Sequence, residues 1–209
     1  DGAGTLALSG TNSYSGNTSL LATGTTGRLI FRGSQSLSPN TTLVFAQNSS
    51  AVQSVSFLDD GSGTIGFARP IQFGGSNTSQ NLNIFVGNNN TANGGDSSGT
   101  TTGSTIQAGS ITFTSTAADT ATTSINATGA NNYRLRTGVI TLNNLVTRTA
   151  GQTTTTLMNP TTANMTIDSI TMATGNTGVG NDGIPVLGLG GTSADNYVTG
   201  VISNASDFA

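Results

Sequence analysis

The amino-acid sequence predicts an all-β fold wound as a solenoid, and three observations predict it. The 209-residue chain contains no Lys and no Glu: its six basic residues are all Arg and its nine acids all Asp. Lys and Glu are strong helix formers that fill exposed helix faces, so their absence leaves little from which to build a helix. Thr, Ser and Asn make up about two-fifths of the chain. The branched Cβ of Thr suits strands, while Asn, Ser and Gly suit turns. Short apolar runs centred near Leu6, Ile30, Val55, Ile84, Ile111, Ile140, Ile170 and Val198 recur roughly 23 to 30 residues apart, within the period range of stacked repeats. Among these runs are the triplets Ile111-Thr112-Phe113, Ile140-Thr141-Leu142 and Ile170-Thr171-Met172, which send two apolar side chains to one face and Thr to the other.

The elements follow in chain order. Thr5-Leu6-Ala7-Leu8 alternates as a half-buried strand and runs into a polar turn bounded by Gly10 and Gly16. Leu20-Leu21-Ala22 and Leu29-Ile30-Phe31 come next, punctuated by Gly24 and Gly27. Strand and turn alternate with no helical period between them. Further apolar runs, Leu43-Val44-Phe45, Ile65-Gly66-Phe67, Tyr133-Arg134-Leu135, Met165-Thr166-Ile167 and Val186-Leu187-Gly188-Leu189, supply the other walls of each coil. Two or three strands per coil account for the period, and the ladder predicts about seven or eight coils in one domain spanning residues 1–209. The triplets of Ile111, Ile140 and Ile170 are expected to stack in one interior column. A sandwich or closed barrel is the rival, since both also use many short strands. The long period and the repeated orientation of the triplets favour the solenoid.

One stretch is irregular. Residues 88–104 are nearly free of apolar side chains. Loops of this length are uncommon unless functional or mobile. Asn88, Asn93, Asp96 and Thr101 are its candidate partner-contacting residues, against the plainer reading of a low-complexity insertion. Residues 174–183 form a shorter polar turn of the same kind.

The opening segment, Gly2-Ala3-Gly4-Thr5-Leu6-Ala7-Leu8-Ser9-Gly10-Thr11-Asn12-Ser13-Tyr14-Ser15-Gly16, resembles the autotransporter-associated β-strand repeat. Gly2, Gly4, Thr5, Leu6, Leu8, Ser9, Gly10, Asn12, Tyr14 and Gly16 fall on that pattern, and Asn17 stands where the family usually has a second Gly. The likeness is close over about the first 30 residues and stylistic beyond them. It implies a right-handed parallel β-helix in a bacterial surface or secreted protein, and no particular chemistry.

Composition narrows the chemistry. With no His, Lys or Cys, triad hydrolysis lacks its base and thiol catalysis its nucleophile. Zinc and copper sites lean on His and Cys, so no metal is expected, and no cofactor. Six scattered arginines against nine aspartates make no nucleic-acid patch. No apolar run reaches the length of a membrane helix, so no membrane insertion is expected. Any export signal would lie upstream of Asp1, which falls inside the repeat pattern. Asp59-Asp60, followed by Gly61-Ser62-Gly63, reads as a turn rather than a catalytic pair. Gly95-Asp96 and Asp182-Gly183 are isolated fragments of calcium-binding glycine–aspartate repeats, which act in arrays. Arg134 and Arg136 share one strand face beside Tyr133. They read as an anion or sugar contact, or as solvated arginines paired with Asp168.

The ends carry the functional expectation. Thr5, Leu6 and Leu8 at one end and Val198, Val201 and Ile202 at the other look like open stacking edges, with no Pro or charge cluster to block pairing. In proteins of the resembling type, Gly-Val-Ile-Ser, here Gly200-Val201-Ile202-Ser203, sits shortly before Gly-x-Gly-Thr-Leu. The expected function is a structural, non-enzymatic unit of a bacterial surface fibre, sheath or adhesin stalk. Located extracellularly or at the cell surface, it would continue end to end, either inside a longer polypeptide or between copies that associate head to tail. The alternative is an adhesin module that binds glycans or a host surface. A polysaccharide-degrading β-helix enzyme stands well behind both, by analogy of fold alone.

Overall fold

A computed structural model describes residues 4–22, 26–33, 36–38, 40–47, 52–59, 65–88, 104–116, 121–130, 132–144, 154–174 and 185–204. Among them the secondary structure is β with no α-helix, in seventeen strands: β1 (Thr5–Leu8), β2 (Thr18–Ala22), β3 (Gly27–Arg32), β4 (Leu43–Gln47), β5 (Gln53–Asp59), β6 (Ile65–Phe67), β7 (Ile71–Gly75), β8 (Ser79–Asn88), β9 (Thr105–Ala108), β10 (Ile111–Ser115), β11 (Ala121–Gly129), β12 (Arg134–Asn144), β13 (Thr154–Pro160), β14 (Asn164–Thr174), β15 (Pro185–Leu189), β16 (Tyr197–Val198) and β17 (Ile202–Asn204). A seven-stranded sheet has the order β1-β3-β5-β8-β11-β13-β15, and a ten-stranded sheet is built on the order β16-β14-β12-β10-β7-β4-β2. The pairings are parallel throughout. The chain passes from one sheet to the other and back, so each layer stacks on the one before. The arrangement is consistent with a parallel β-helix.

The larger sheet is strongly curled, and its corner has a local cause. β9 and β10 both pair with the single long strand β12, on either side of a bend at Gly109-Ser110. β6 adds to β9, and β16 and β17 likewise pair with the two halves of β14. A Cβ on Gly109 would collide with the carbonyl of Arg69, and one on Gly200 with the carbonyl of Asp168. Glycine therefore lets successive corners approach closely enough to stack. In the first layers, irregular segments take this corner's place and stack through side chains. Asn12 Nδ2 donates to Ser36 O at 2.8 Å, Ser38 Oγ donates to Tyr14 O, and Arg69 Nε donates to Ser38 O at 3.0 Å.

The core lies between the sheets. Ile111 pairs with Ile140 and Ile140 with Ile170, all fully buried, so the expected interior column is present. The column continues through Ile71 to Leu43 on one side and to Ile202 on the other. Beside it run Phe45, Phe73 and Phe113, and across the interior Phe31 stacks on Phe57 with ring centroids 5.9 Å apart. Stacked like residues bury large apolar areas in register, the main stabilising term of such a layer.

One feature of the ladder is different from expectation. Leu6, Ile30, Val55 and Ile84 lie in the seven-stranded sheet, whereas Ile111, Ile140, Ile170 and Val198 lie in the ten-stranded one. Ile84 is partnered by Ala127, not by Ile111. The long segment between β8 and β9 moves the second strand of that layer to one full period downstream. The ladder thus changes sheet without losing its spacing.

Candidate functional site

The outer face of the seven-stranded sheet carries a built groove of about 560 Å³ along the stacking axis. One rail is the register column Arg28, Ser54, Asn83, Asn126, Asn159; beside it runs Ser56, Phe85 and Thr128, with Thr161 past the end of β13. These positions alternate with buried Leu29, Val55, Leu82, Ile84 and Ile125, so the pleat alone turns them outward. Asn159 Nδ2 donates to Asn126 Oδ1 and Asn126 Nδ2 donates to Asn83 Oδ1, both at 2.8 Å. The amides therefore form one directional chain ending in the Nδ2 donors of Asn83. At that end the Arg28 guanidinium donates through Nε and Nη2 to Ser56 Oγ at 3.0 and 2.8 Å and lies 5.9 Å from the centroid of the Phe85 ring. Reading the sequence did not single out this groove. Its signal was the set of apolar–Asn–apolar triplets Leu82-Asn83-Ile84, Ile125-Asn126-Ala127 and Met158-Asn159-Pro160, whose spacing is too uneven to register as a repeat.

The other sheet face holds Arg134 and Arg136. Arg136 binds Asp168 through Nε at 3.0 Å and Nη2 at 2.9 Å, and Arg134 lies 3.9 Å from Asp195. The expected pairing of Arg136 with Asp168 is present, and it removes that cation from service as an anion contact. Tyr133 does not share their face. It is buried, and its hydroxyl donates to Asp59 Oδ2 at 2.9 Å. Burial, and then the hydrogen bond to Asp59 and its charge, push the Tyr133 hydroxyl up to about 12; a hydrogen bond with Ser104 opposes this. Asp59 therefore corrects the turn reading. It closes β5, is fully buried, and joins the corner to the core. Asp60 lies outside the described residues.

Of the candidate partner-contact residues, Asn88 closes β8 and is 7 % exposed, because it still belongs to the ladder opposite Asp59. Asn93, Asp96 and Thr101 lie outside the described residues, as do the Gly95-Asp96 and Asp182-Gly183 fragments. The stacking-edge candidates divide between the two ends. Thr5, Leu6 and Leu8 form β1, the outermost strand of the seven-stranded sheet; Val198 and Ile202 lie in β16 and β17, with Val201 just before β17. Leu6 is 53 % exposed although its column partner Leu29 is 3 % exposed, and Ile202 is 45 % exposed although Ile170 is fully buried. Val201 is also exposed, as are Leu189 and Tyr197, which line a cleft of about 150 Å³ that opens onto Met158, Met165 and Ile167. Leu8 and Val198 pack partly on the core.

Among the described residues no group of three metal-binding side chains converges, and no helix is long and apolar enough to cross a membrane. Comparison of the chain with protein-family models, with curated proteins and with solved structures gives no match in any of the three.

Proposed function

We propose that the protein is a structural unit of an extracellular bacterial fibre, sheath or adhesin stalk. It is read as a right-handed solenoid of seven coils that stacks end to end. Each strand of the seven-stranded sheet stands for one coil, and parallel crossovers in a sheet are almost always right-handed. The opening motif's likeness to the autotransporter-associated β-strand repeat supports the cell-surface setting. The carrying observation is that interior columns run out into solvent at both ends, at Leu6 and at Ile202. The phase also fits. The path runs from β1 in the seven-stranded sheet to β17 in the ten-stranded one, so a second β1 would add beside β15 and a second β2 beside β16 and β17 without a break. Such a heterologous contact does not close and propagates as a filament. A catalytic role is not part of this reading, since the chain lacks His, Lys, Glu and Cys.

Light scattering and negative-stain imaging of the purified chain test it. Linear filaments are expected, and Ala7→Pro or Ile202→Pro, each of which removes a backbone donor on the outward side of an edge strand, is expected to leave monomers. A wild-type chain that stays monomeric at high concentration refutes end-to-end stacking. The groove on the seven-stranded sheet favours a second reading, a surface that binds glycans, which is compatible with either assembly state.

A further inference from the structure

We propose that the outer groove of the seven-stranded sheet binds a carboxylate-bearing oligosaccharide, a uronic-acid glycan laid along the stacking axis. This deepens the glycan-binding reading and does not depend on end-to-end stacking. The length suits a short oligosaccharide: from Arg28 to Asn159 the rail crosses five neighbouring strands, a span of roughly 19 Å at the usual inter-strand spacing. One layer advances by about the length of a single sugar ring, so hydroxyls of successive sugars meet successive amides.

The chemistry of the groove is asymmetric. Its far part offers only neutral partners, the amides of Asn126 and Asn159 and the hydroxyls of Thr128 and Thr161. Each bridging amide spends one N–H on its neighbour and keeps a second donor for a ligand. The near part is rich in donors. Among the described residues no carboxylate pairs with Arg28, whereas Arg134 and Arg136 face Asp195 and Asp168. Ser56 Oγ and the Phe85 ring hold the guanidinium in place and leave further N–H groups open. The amide chain points the Asn83 donors to the same end, and aligned hydrogen bonds reinforce one another. A fixed guanidinium with free donors matches a carboxylate. A single cation on a chain of net charge −3 does not suit a dense polyanion such as a nucleic acid, which needs many cationic contacts. One charge followed by a neutral amide and hydroxyl rail fits a glycan whose hydroxyls outnumber its carboxylates.

The test is equilibrium binding of fluorescently labelled oligogalacturonate to the whole chain, read by anisotropy. Competitors are unlabelled oligogalacturonate, a neutral glucose oligosaccharide of equal length, a sulfated oligosaccharide and single-stranded DNA. Saturable binding displaced by the uronate alone is expected. Arg28→Ala is expected to weaken it about tenfold or more, the scale of a lost charge-assisted hydrogen bond. Asn126→Asp, which sets a carboxylate in the rail, is expected to do the same while far-UV circular dichroism stays unchanged. Arg136→Ala on the other sheet should bind as the wild type does. The proposal is overturned by no binding at millimolar uronate, or by equal displacement with the neutral, sulfated or nucleic-acid competitor. Wild-type affinity in a folded Arg28→Ala or Asn126→Asp variant overturns it as well. Because anisotropy is read on filaments and monomers alike, failure here is separable from failure of stacking.

Discussion

Replacing Tyr133 by Phe isolates the one strongly perturbed proton in the described structure. The Tyr133 hydroxyl is buried against Asp59, and its pKa rises from 10.0 to about 12. Raising the pH above 10 strips the proton from an unfolded Tyr while the folded one still holds it. The unfolded state then binds fewer protons, so stability is fully present below pH 10 and is lost as the pH climbs toward 12. At about 1.4 kcal/mol per pKa unit, the loss over that window is roughly 2–3 kcal/mol. The chain has no Lys and no Cys to titrate there, and its other tyrosines, Tyr14 and Tyr197, are common to the two proteins compared. Urea unfolding at a series of pH values is the assay. The wild type should lose stability progressively between pH 10 and 12, and Tyr133→Phe should lack that component. At neutral pH the variant should already be less stable by about 1.5–3 kcal/mol, because the buried Asp59 loses a hydrogen bond. Equal alkaline slopes in the two proteins would refute the coupling of Tyr133 to Asp59.

Two further predictions concern the core and the corner. Ile140→Ala empties a fully buried position between Ile111 and Ile170 and should cost about 2–5 kcal/mol in urea unfolding, whereas the neighbouring outward Val139→Ala should change stability by no more than about 1 kcal/mol. Equal costs would show that the two do not face opposite sides. Gly109→Ala drives a methyl group into the Arg69 carbonyl and should lower stability by about 2 kcal/mol or more, while Gly66→Ala, with open space around it, should be neutral or stabilising by up to about 1 kcal/mol. A thermal melt in which both behave alike would remove glycine from the account of the curled sheet.

Several parts of the candidate surfaces were legible from residue alternation. Ile111, Ile140 and Ile170 announced a column because apolar–Thr–apolar triplets at near-constant spacing have only one way to share a face. Arg136 and Asp168 were expected to pair one coil apart, although the register partner of Arg136 is Thr166 and Asp168 is reached diagonally. Asp59 was misread because the Asp-Asp-Gly-Ser-Gly string looks like a turn whatever precedes it. Its buried carboxylate accepts a hydrogen bond from Tyr133, 74 residues away. The groove escaped notice because Asn83, Asn126 and Asn159 are 43 and 33 residues apart, and only the parallel register brings them to hydrogen-bonding distance.

What the sequence by itself determined is the class of structure: a composition that cannot sustain helices, with short runs of period two at a regular spacing, leaves parallel β layers as the way to bury Ile, Phe and Leu while exposing Thr and Asn. Only the tertiary structure decided which sheet each run enters, because side-chain alternation reports the face of a strand and not its neighbour. Ile84 and Ile111 are spaced like partners, yet they lie in different sheets. Pairing depends on how much chain each corner consumes, and the long segment between β8 and β9 consumes enough to shift the ladder across the core. That same pairing, and no local signal, aligned three asparagines behind an arginine that has no carboxylate partner among the described residues.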